Sequence, residues 1–464
     1  MMPSFTLKDV VEATQAEIAA RQSEEFTGIV TDTRKIEQGV LFLALDGERF
    51  HGEDFAKEAL EKGAAGVMVR MDCPQEKLEG ANGTILKVAD TLAAYQQIAA
   101  FWRKKFDIPV VAITGSNGKT TTKDLTAAAL SAWGDVLKTQ ANFNNEIGLP
   151  LTLLGLEERH RAAVVEIGMR GLHQIEALAP VAAPNIGVVT NVGETHMELL
   201  GSLENIAKAK AELVEAIPAG GTVVLNADNP YVIGMIEKAA EGVNVLTFGI
   251  KESADVKGEA IRTEGNCTKF MVRYGRERHD FVIPMLGRHN VYNALAAIAV
   301  GYSLGLTTAE IRTGLLHLEA TKMRFEVCQR GEYKFINDAY NASPMSMTAA
   351  IQTLSEMEQG RKIAVFGDML ELGDVSEQAH YHVGEELAEK KFAAVITLGE
   401  MGKLIAKGAS EHGIEDVFAC DSHEEAGGIL EEILQAGDTV LFKGSRGMQM
   451  EKIMDCVAQE EKDA

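Results

Sequence analysis

Short apolar runs alternate with longer amphipathic segments along almost the whole chain. Runs such as PVVAI, AAVVE and IGVVT are rich in valine, isoleucine and alanine and end at glycine or polar residues, which predicts buried strands. The segments between these runs have the length and the mixed polarity of helices. Alternation of this kind is typical of parallel α/β domains.

Three segments carry this pattern, and their boundaries are set by motif because no low-complexity tract or long repeat marks a linker. The first, residues 1–105, contains GIVTDTRKIEQGVLFLAL and GAAGVMVR. The second, residues 106–318, begins at IPVVAITG and continues through RAAVVEIG, PNIGVVTN, GTVVLNAD and VNVLTFG. The third, residues 319–464, begins near TKMRFEV and contains YKFINDAY, RKIAVFGD, FAAVITLG and DTVLFKG. A length of 464 residues also favours about three domains.

The composition and the net charge limit the classes of molecule that the chain can bind. Hydrophobic residues make up 46% and charged residues 24%, so the chain can bury a large core. The 45 basic and 68 acidic residues give a net charge of −23. This balance argues against general binding of nucleic acid or of an anionic membrane, since both need basic surface. Any anionic substrate must therefore be received by a local pocket that is basic or rich in amide groups.

The termini, the longest apolar stretch and the cysteines all indicate a cytoplasmic protein that does not insert into a membrane. The N-terminal MMPSFTLKDVVEATQAE has charges where a signal peptide needs an apolar core. The stretch VYNALAAIAVGYSLGL is polar at Asn293 and Tyr302 and is shorter than the roughly 20 residues that span a bilayer, so it predicts a buried helix. Five scattered cysteines without a CxxC pair fit reduced thiols.

A glycine-rich stretch, TGSNGKTTTKD (residues 114–124), directly follows the predicted strand PVVAI. A strand–turn–helix arrangement presents backbone N–H groups at a helix N-terminus, where they bind phosphate oxygens. Lys119 adds a mobile cation and Thr120 a hydroxyl for magnesium. Gly115 and Gly118 enclose only two residues, whereas an ordinary P-loop has four between its glycines. The alternative interpretation is a helix-entry turn with an incidental lysine.

Two further polar residues follow predicted strands. Glu166 ends AAVVE, and His196 follows IGVVT in the run NVGETHMELLGS. Because ligands bind beyond the carboxyl ends of parallel strands, we expect Thr120, Glu166 and His196 to converge on one magnesium-rich crevice. Taken singly, such a glutamate is more often a cap or a surface charge, and such a histidine is more often solvated.

Two predicted helices of the second segment also carry candidate residues. Lys210 lies on the helix in NIAKAKAELVEAI, and its own spacing indicates a solvated helix face. The segment GRHNVYNALAAIAVG predicts a buried helix with His289 and Asn290 near its beginning, at the edge of the domain.

The third segment presents polar residues at the end of its first long strand. NDAYNASPMSM follows that strand, and Pro344 suits the first position of a helix. Asp338, Asn341 and Ser343 are therefore expected at the carboxyl end of the strand. Arg324 and Asp338 would face the central crevice if the third segment closes over it.

Taken together, TGSNGKTTT, NFNNEIGLPLT, EIGMR, NVGETHMELLGS, GRHNVYNALAA, RFEV, DAYNASP and FGDMLELG resemble the Mur ligases. The likeness runs from Thr31 to Arg446, and the short glycine turn is that family's own phosphate loop. The resemblance implies an α/β fold of three domains. These are a small N-terminal α/β domain for the uridine nucleotide, a central domain with a P-loop-type, mostly parallel sheet for ATP, and a Rossmann-like C-terminal domain for the incoming amine.

The resemblance also implies residue roles. Lys119 would contact the β- and γ-phosphates, Asn290 the adenine, Arg324 a phosphate and Asp338 the ribose. The implied catalytic residues are Lys119, His196 and Lys210. The implied ATP-binding residues are Gly115, Asn117, Gly118, Lys119, Thr120, Thr121, Asn290, Arg324 and Asp338. The implied Mg²⁺-associated residues are Thr120, Glu166, His196 and Lys210, with Lys210 as a carbamate because an ammonium cannot bind a cation. The implied substrate-binding residues are Asp32, Thr33, Arg34, Asn142, Asn144, Asn145, Asn341 and Ser343.

Within the family, DAYNASP and GDMLELG favour the dipeptide-adding type. That type uses ATP to join D-Ala-D-Ala to UDP-MurNAc-tripeptide through an acyl phosphate, and we expect a monomer. Ser343 stands where the family pattern often has asparagine. The alternatives are another amino-acid-adding Mur or folylpolyglutamate-type ligase, a P-loop ATPase that acts as a conformational switch, and an inactive nucleotide-binding protein. Whether the third residue of the acceptor peptide is meso-diaminopimelate or lysine is not determined by the sequence.

Overall fold

The structure is a computed structural model that describes residues 3–47, 50–357 and 360–457. The chain forms two compact units, each discontinuous in sequence. The first contains the described residues of Met1–Ala112, Trp133–Gly168 and Ile175–Ile186. The second contains those of Ile113–Ala132, Met169–Gln174 and Gly187–Ala464. The glycine-rich turn and the whole C-terminal segment therefore belong to the same unit.

The N-terminal segment is a small α/β sheet structure. Its elements are β1 (Phe5–Thr6), α1 (Leu7–Thr14), β2 (Glu17–Ala20), β3 (Glu25–Phe26), β4 (Ile29–Val30), β5 (Leu41–Leu43), α2 (Ala56–Glu61), β6 (Gly66–Arg70), β7 (Thr84–Val88) and α3 (Thr91–Arg103). The sheet order is β2-β7-β6-β5-β4, in which only the β2–β7 pair is antiparallel. Thr6 and Asp9 form a capping box that begins α1.

The central segment contains the strands that the apolar runs predict. Its elements are β8 (Val110–Thr114), α4 (Lys119–Leu130), β9 (Asp135–Lys138), α5 (Gly148–Leu153), β10 (His160–Glu166), α6 (Gln174–Ala182), β11 (Ile186–Val189), α7 (Met197–Leu200), α8 (Leu203–Glu215), β12 (Thr222–Asn226), α9 (Pro230–Ile233), β13 (Asn244–Gly249), β14 (Val256–Glu264), β15 (Cys267–Tyr274), β16 (Glu277–Ile283), α10 (Arg288–Ser303) and α11 (Thr308–Leu316). The sheet order is β16-β15-β14-β13-β12-β11-β8-β10-β9.

In this segment, the sequence predicted one buried helix correctly but did not predict an antiparallel ribbon. The predicted buried helix is α10, which is apolar on nearly every side and packs against α4, so that prediction is confirmed. The antiparallel ribbon β14–β15–β16 was not predicted, because its strands alternate exposed and buried residues and lack the continuous apolar runs of the parallel strands.

The C-terminal segment is a second α/β layer structure. Its elements are β17 (Glu326–Arg330), β18 (Tyr333–Asp338), α12 (Pro344–Met357), β19 (Lys362–Gly367), α13 (Ser376–Glu389), β20 (Ala394–Leu398), α14 (Gly402–Glu411), β21 (Asp416–Cys420), α15 (His423–Ile433), β22 (Thr439–Lys443) and α16 (Glu451–Cys456). The order is β17-β18-β22-β19-β20-β21, parallel except at the β17 edge. Separate apolar cores cover the two faces of the sheet.

Two further expectations concern the environment of the chain. All five cysteines carry free thiols. Among the helices of residues 3–47, 50–357 and 360–457, none combines the length and the apolar character needed to cross a bilayer.

Pro344 occupies the first position of α12, as predicted.

Candidate functional site

The glycine-rich turn joins β8 to α4, so the predicted strand–turn–helix is confirmed. Gly115 has φ 151° and Gly118 has φ 79°, a region of backbone conformation that favours glycine. A Cβ at Gly115 would collide with Oγ1 of Thr190, and one at Gly118 would collide with Oδ1 of Asn293. Thr121 is buried in the first turn of α4. Both glycines are therefore required by close packing as well as by conformation.

The segment after β11 holds this turn in place. The backbone N–H of Ser116 donates to the Asn191 carbonyl at 2.9 Å, and that of Asn117 donates to Asn191 Oδ1 at 2.8 Å. The carbonyl of Asn117 accepts from Thr190 Oγ1 at 2.6 Å and from Asn191 Nδ2 at 2.9 Å. Ser116 Oγ also donates to the Gly193 carbonyl at 2.9 Å. The turn is thus preorganised by the protein itself.

Two cations are directed at the beginning of α4. Lys119 Nζ donates to the carbonyl of Gly115 at 2.8 Å. Arg324 Nη2 donates to Thr120 Oγ1 at 3.1 Å, and its guanidinium lies 4.0 Å from the centre of the Tyr340 ring. Arg324 Nε is buried and, among the residues that the structure describes, has no hydrogen-bond partner. An anion bound here would find both positive charge and an unused donor.

The side chain of Lys210 is buried, so the prediction that it is solvated is wrong. Its side chain is only 2% exposed, because it shares a face of α8 with Ile206 and Leu213, four residues before it and three after it. Burial, reinforced by Lys119 nearby, holds the pKa of Lys210 well below its ordinary value.

His196 lies at the beginning of α7 with a left-handed backbone, φ 55°. Its Nδ1 is 2.6 Å from Oε2 of Glu371, and Oε1 of the same carboxylate is 4.0 Å from Nη2 of Arg170. Burial lowers the pKa of His196, Lys119 and Lys210 lower it further, and Glu371 opposes them. The structure therefore groups His196 with both lysines. Glu371 belongs to the motif GDMLELG, but the sequence did not predict a role for it.

The end of β18 contains a buried ion pair that the sequence analysis does not identify. Asp338 accepts from the backbone N–H of Phe325 at 3.1 Å and from Lys443 Nζ at 2.6 Å. Lys443 also donates to the Asn341 carbonyl at 3.0 Å. Burial lowers the pKa of Lys443 although Asp338 opposes the shift. The signal was available in principle, since both residues end apolar strands, but only the β18–β22 register pairs them.

Ser343 and Asn290, two of the predicted binding residues, have different kinds of hydrogen-bond partner in the structure. Ser343 Oγ donates to Asn117 Oδ1 at 2.9 Å, so the C-terminal segment contacts the glycine-rich turn directly. Asn290 is buried, and its amide is used within the protein. Its Nδ2 donates to the Leu286 carbonyl at 2.8 Å and its Oδ1 accepts from Asn293 at 3.1 Å. An adenine contact by Asn290 stays a prediction.

Glu166 and the predicted asparagines lie in the first unit. Glu166 ends β10, is buried, and accepts from Asn144 Nδ2 at 2.8 Å. Asn145 accepts from the backbone N–H of Gly148 at 2.9 Å and so supports the beginning of α5. Asn142 is exposed. Asn144 thus orients the carboxylate of Glu166, whereas the side chain of Asn145 is used to support the beginning of α5.

The run TDTR lies after β4. Asp32 caps a short 3₁₀ helix, Thr33–Lys35, by accepting from the backbone N–H of Arg34 at 3.0 Å. The side chain of Arg34 also donates to Asp32 at 2.8 Å, and these hydrogen bonds lower the pKa of Asp32 to about 2. The Arg34 side chain is 87% exposed. The run presents an exposed guanidinium held by an ionised carboxylate.

The donor set fits a magnesium ion that arrives with phosphate. In the part of the chain that the structure describes, no group of three or more His, Cys, Asp and Glu side chains is arranged to hold a metal. Mg²⁺ usually keeps several waters and takes one or two protein oxygens together with substrate phosphates. Thr120, at the beginning of α4, offers an oxygen donor of that kind.

Three family profiles match the chain. They are the Mur ligase family, catalytic domain, over residues 25–103, the Mur ligase middle domain over residues 113–301, and the Mur ligase, glutamate ligase domain, over residues 323–446. The UDP-N-acetylmuramoyl-tripeptide–D-alanyl-D-alanine ligase of Bacillus subtilis (strain 168) is 40% identical over 454 residues, with 97% of each chain covered. The chain belongs to the Mur ligase family.

Solved structures of Mur ligases match over nearly the whole chain. A MurF from Acinetobacter baumannii superimposes with a TM-score of 0.91 at 31% identity and covers 99% of this chain and 100% of its own. The MurF ligase from Thermotoga maritima, solved in complex with ADP, gives a TM-score of 0.83 at 27% identity and covers 93% and 97%. The predicted α/β fold of three domains is confirmed by these matches.

Proposed function

We propose that this Mur ligase uses ATP to join D-alanyl-D-alanine to UDP-N-acetylmuramoyl-tripeptide, releasing ADP and phosphate, in the synthesis of peptidoglycan precursors. The observation that carries the proposal is the pair of cations at the glycine-rich turn, Lys119 and Arg324, in a chain of net charge −23. The B. subtilis relative bears the name of this activity. A local cationic site in an acidic protein suits a substrate made of phosphates and carboxylates.

The chemistry requires activation of a carboxylate. A carboxylate is a poor acyl donor because its leaving group would be oxide, and transfer of the γ-phosphoryl group of ATP to it gives an acyl phosphate. The amine of the dipeptide attacks the carbonyl carbon, the carbon–oxygen bond to phosphate breaks, and the nitrogen loses a proton. Mg²⁺, when bound, neutralises charge on the phosphates.

The residues of the turn position and neutralise the reacting groups. In this proposal Lys119 contacts the β- and γ-phosphates, and Thr120 offers its hydroxyl to Mg²⁺. Arg324, oriented by the Tyr340 ring, binds a further phosphate oxygen with its unused Nε. Charges fixed in this way lower the barrier because they need no reorganisation when the phosphoryl group moves.

Lys210 serves as a carbamate in this proposal. Burial holds the pKa of this amine well below its ordinary value, which favours the neutral form, and a neutral amine attacks CO₂, forming an N–C bond and releasing a proton. The product is an anionic oxygen donor next to Lys119, where an ammonium would repel both Lys119 and a metal ion. Burial of this amine near Lys119 supports the modification, since the carbamate replaces a buried positive charge by a negative one.

The other residue roles extend the proposal. Glu166, His196 and Lys210 join Thr120 around Mg²⁺, with Lys119, His196 and Lys210 as the catalytic group. Asn290 contacts the adenine and Asp338 the ribose, and Gly115, Asn117, Gly118 and Thr121 line the phosphates. The substrate-binding residues are Asp32, Thr33, Arg34, Asn142, Asn144, Asn145, Asn341 and Ser343. We further propose domains at residues 1–105, 106–318 and 319–464, a monomer, and a cytoplasmic location.

The decisive experiment measures ADP release together with product mass. The enzyme is given UDP-MurNAc-tripeptide alone and then with D-Ala-D-Ala, D-glutamate or a diamino acid. We expect ADP release that requires both the tripeptide and D-Ala-D-Ala, with one amide formed per ADP. Steady ADP production without an amide product for any amine would contradict a ligase, and preference for another amine would indicate another member of the family.

A further inference from the structure

Two residues with a left-handed backbone meet between the central and C-terminal segments of the second unit. His196 has φ 55° and Glu371 has φ 63°, and neither is glycine. Their side chains are joined at 2.6 Å, from Nδ1 to Oε2. The main chains are also in contact, since the backbone N–H of Glu198 lies 3.5 Å from the carbonyl of Glu371. Non-glycine residues in this conformation concentrate at functional sites.

The loop that carries this glutamate, residues 368–373, is held firmly in the C-terminal segment. The backbone N–H of Met369 donates to Nε2 of the buried His380 at 2.8 Å. The backbone N–H of Leu370 donates to Ser445 Oγ at 2.9 Å. Since the loop is held by α13 and by the segment after β22, the carboxylate of Glu371 has a defined position.

The carboxylate of Glu371 contacts two side chains, and these two contacts fix its orientation. Oε1 faces the guanidinium of Arg170 at 4.0 Å, which leaves Oε2 for the imidazole of His196. An Nδ1 that donates to a carboxylate carries a hydrogen, so the lone pair of a neutral ring lies on Nε2.

We propose that Glu371 is a positioning residue that orients His196, so that Nε2 of the imidazole is presented to the metal and phosphate site only when the C-terminal segment lies against the central one. The two residues are 175 positions apart in the chain, on segments with separate sheets. The contact therefore couples the docking of the C-terminal segment to the geometry of the metal site. This inference rests on the proposed function for the identity of that site.

The first test measures metal affinity. Mn²⁺ is titrated in the presence of saturating ADP, and free Mn²⁺ is followed by electron paramagnetic resonance. Loss of a carboxylate that supports a metal-binding histidine costs about 10- to 100-fold in metal affinity. We expect Glu371→Ala to weaken Mn²⁺ binding by about 10-fold or more. Glu415→Ala, an exposed glutamate before β21, is the matched control and should bind like the wild type.

A second variant, Glu371→Gln, distinguishes the loss of the hydrogen bond from the loss of side-chain volume. In Glu371→Gln the amide oxygen still accepts from Nδ1, so this variant should bind Mn²⁺ more tightly than Glu371→Ala. In a His196→Ala background, Glu371→Ala should cause no further loss, because it acts through the imidazole. Equal weakness of the Gln and Ala variants, or an undiminished loss in the His196→Ala background, would overturn the proposal.

A spectroscopic readout needs neither metal nor turnover. Ring ¹⁵N shifts of His196 in the ligand-free enzyme should indicate a hydrogen on Nδ1, and Glu371→Ala should shift the ring to a mixture of tautomers. A wild-type ring with its hydrogen on Nε2 would overturn the proposal. Failure of the proposed function appears elsewhere, as wild-type enzyme that forms no amide from UDP-MurNAc-tripeptide and D-Ala-D-Ala.

Discussion

At the scale of single residues, Lys119 is expected to be needed for turnover rather than for folding. Lys119→Ala removes a cation aimed at charge that develops on the transferred phosphoryl group, which costs on the order of 10²-fold or more in kcat. Lys119→Arg should rescue poorly, because a planar guanidinium does not replace a compact ammonium in a tight glycine turn. Lys104→Ala, an exposed lysine after α3, is the control. Near-normal kcat in Lys119→Ala would show that this turn is not the phosphate site.

Lys210 gives a prediction at the same scale that separates activity from stability. Lys210→Met should be almost inactive yet at least as heat-stable as the wild type in CO₂-free buffer, because it replaces a buried amine by an apolar side chain of similar length. Bicarbonate should raise the melting temperature of the wild type but not of the variant.

The matched control for this experiment is Lys208→Met, two residues earlier on the exposed side of α8. It should keep both the activity and the bicarbonate effect. A fully active Lys210→Met enzyme would remove the carbamate from the mechanism.

At the scale of elements, the β8–α4 turn depends on how closely α10 approaches it. Gly118→Ala places a methyl group against Asn293 of α10 in addition to the cost of a left-handed alanine, roughly 1–2 kcal/mol. Gly220 has nearly the same φ, 83°, but open space around it, so Gly220→Ala has only the conformational cost. Calorimetric titration with ADP should detect a loss of affinity in Gly118→Ala alone. Equal affinity in both variants would mean that the α10 contact does not shape the turn.

Helix α13 supports the loop after β19 through a neutral histidine, which predicts a pH dependence. His380 accepts from Met369 and its Nδ1 lies 2.7 Å from the Ser376 carbonyl, so both ring nitrogens are satisfied only in the neutral ring. Burial lowers the pKa of His380. Below the ordinary histidine value of about 6.5 the unfolded chain binds a proton that the folded protein resists, so this stability is present above about 6.5 and is lost as the pH falls.

The measurement compares apparent melting temperatures at pH 7.5 and pH 5. His380→Gln should lose less stability than the wild type over this interval, because the titrating group is gone. His382→Gln, at an exposed position of the same helix, is the matched control. Parallel losses in His380→Gln and the wild type would exclude His380 as the origin of the acid sensitivity.

At the scale of the whole molecule, the C-terminal segment is expected to dock more firmly when nucleotide binds. Lys119 and Arg324 come from different segments, and one nucleotide that contacts both stabilises only the docked arrangement. Distance labels at the exposed positions 238 and 407 should give a narrower distribution with ADP. Arg324→Ala should broaden it, whereas Arg330→Ala, exposed on β17, should not. An unchanged distribution at saturating ADP would indicate a permanently docked segment.

Parts of the fold and of the site were predictable because the residues that indicate them are neighbours in the sequence. The apolar runs predict the central parallel strands, since residues buried on both faces of a sheet need no alternation. The glycine-rich turn lies within about ten consecutive residues, so its strand, its glycines and its lysine are all visible at once. The ribbon β14–β16 was missed because its strands alternate exposed and buried residues and lack the continuous apolar runs from which the parallel strands were predicted.

The sequence by itself determined the parallel α/β class, the glycine-rich turn between a strand and a helix, and the acidic balance, since each depends on local order or on composition alone. Tertiary structure decided the burial of Lys210, whose spacing among apolar residues also fits a lysine with its amine in water. It likewise paired Glu371 with His196 and Lys443 with Asp338, 175 and 105 positions apart. Contacts at such separations depend on which faces of the elements pack together, and no local pattern of residues encodes that packing.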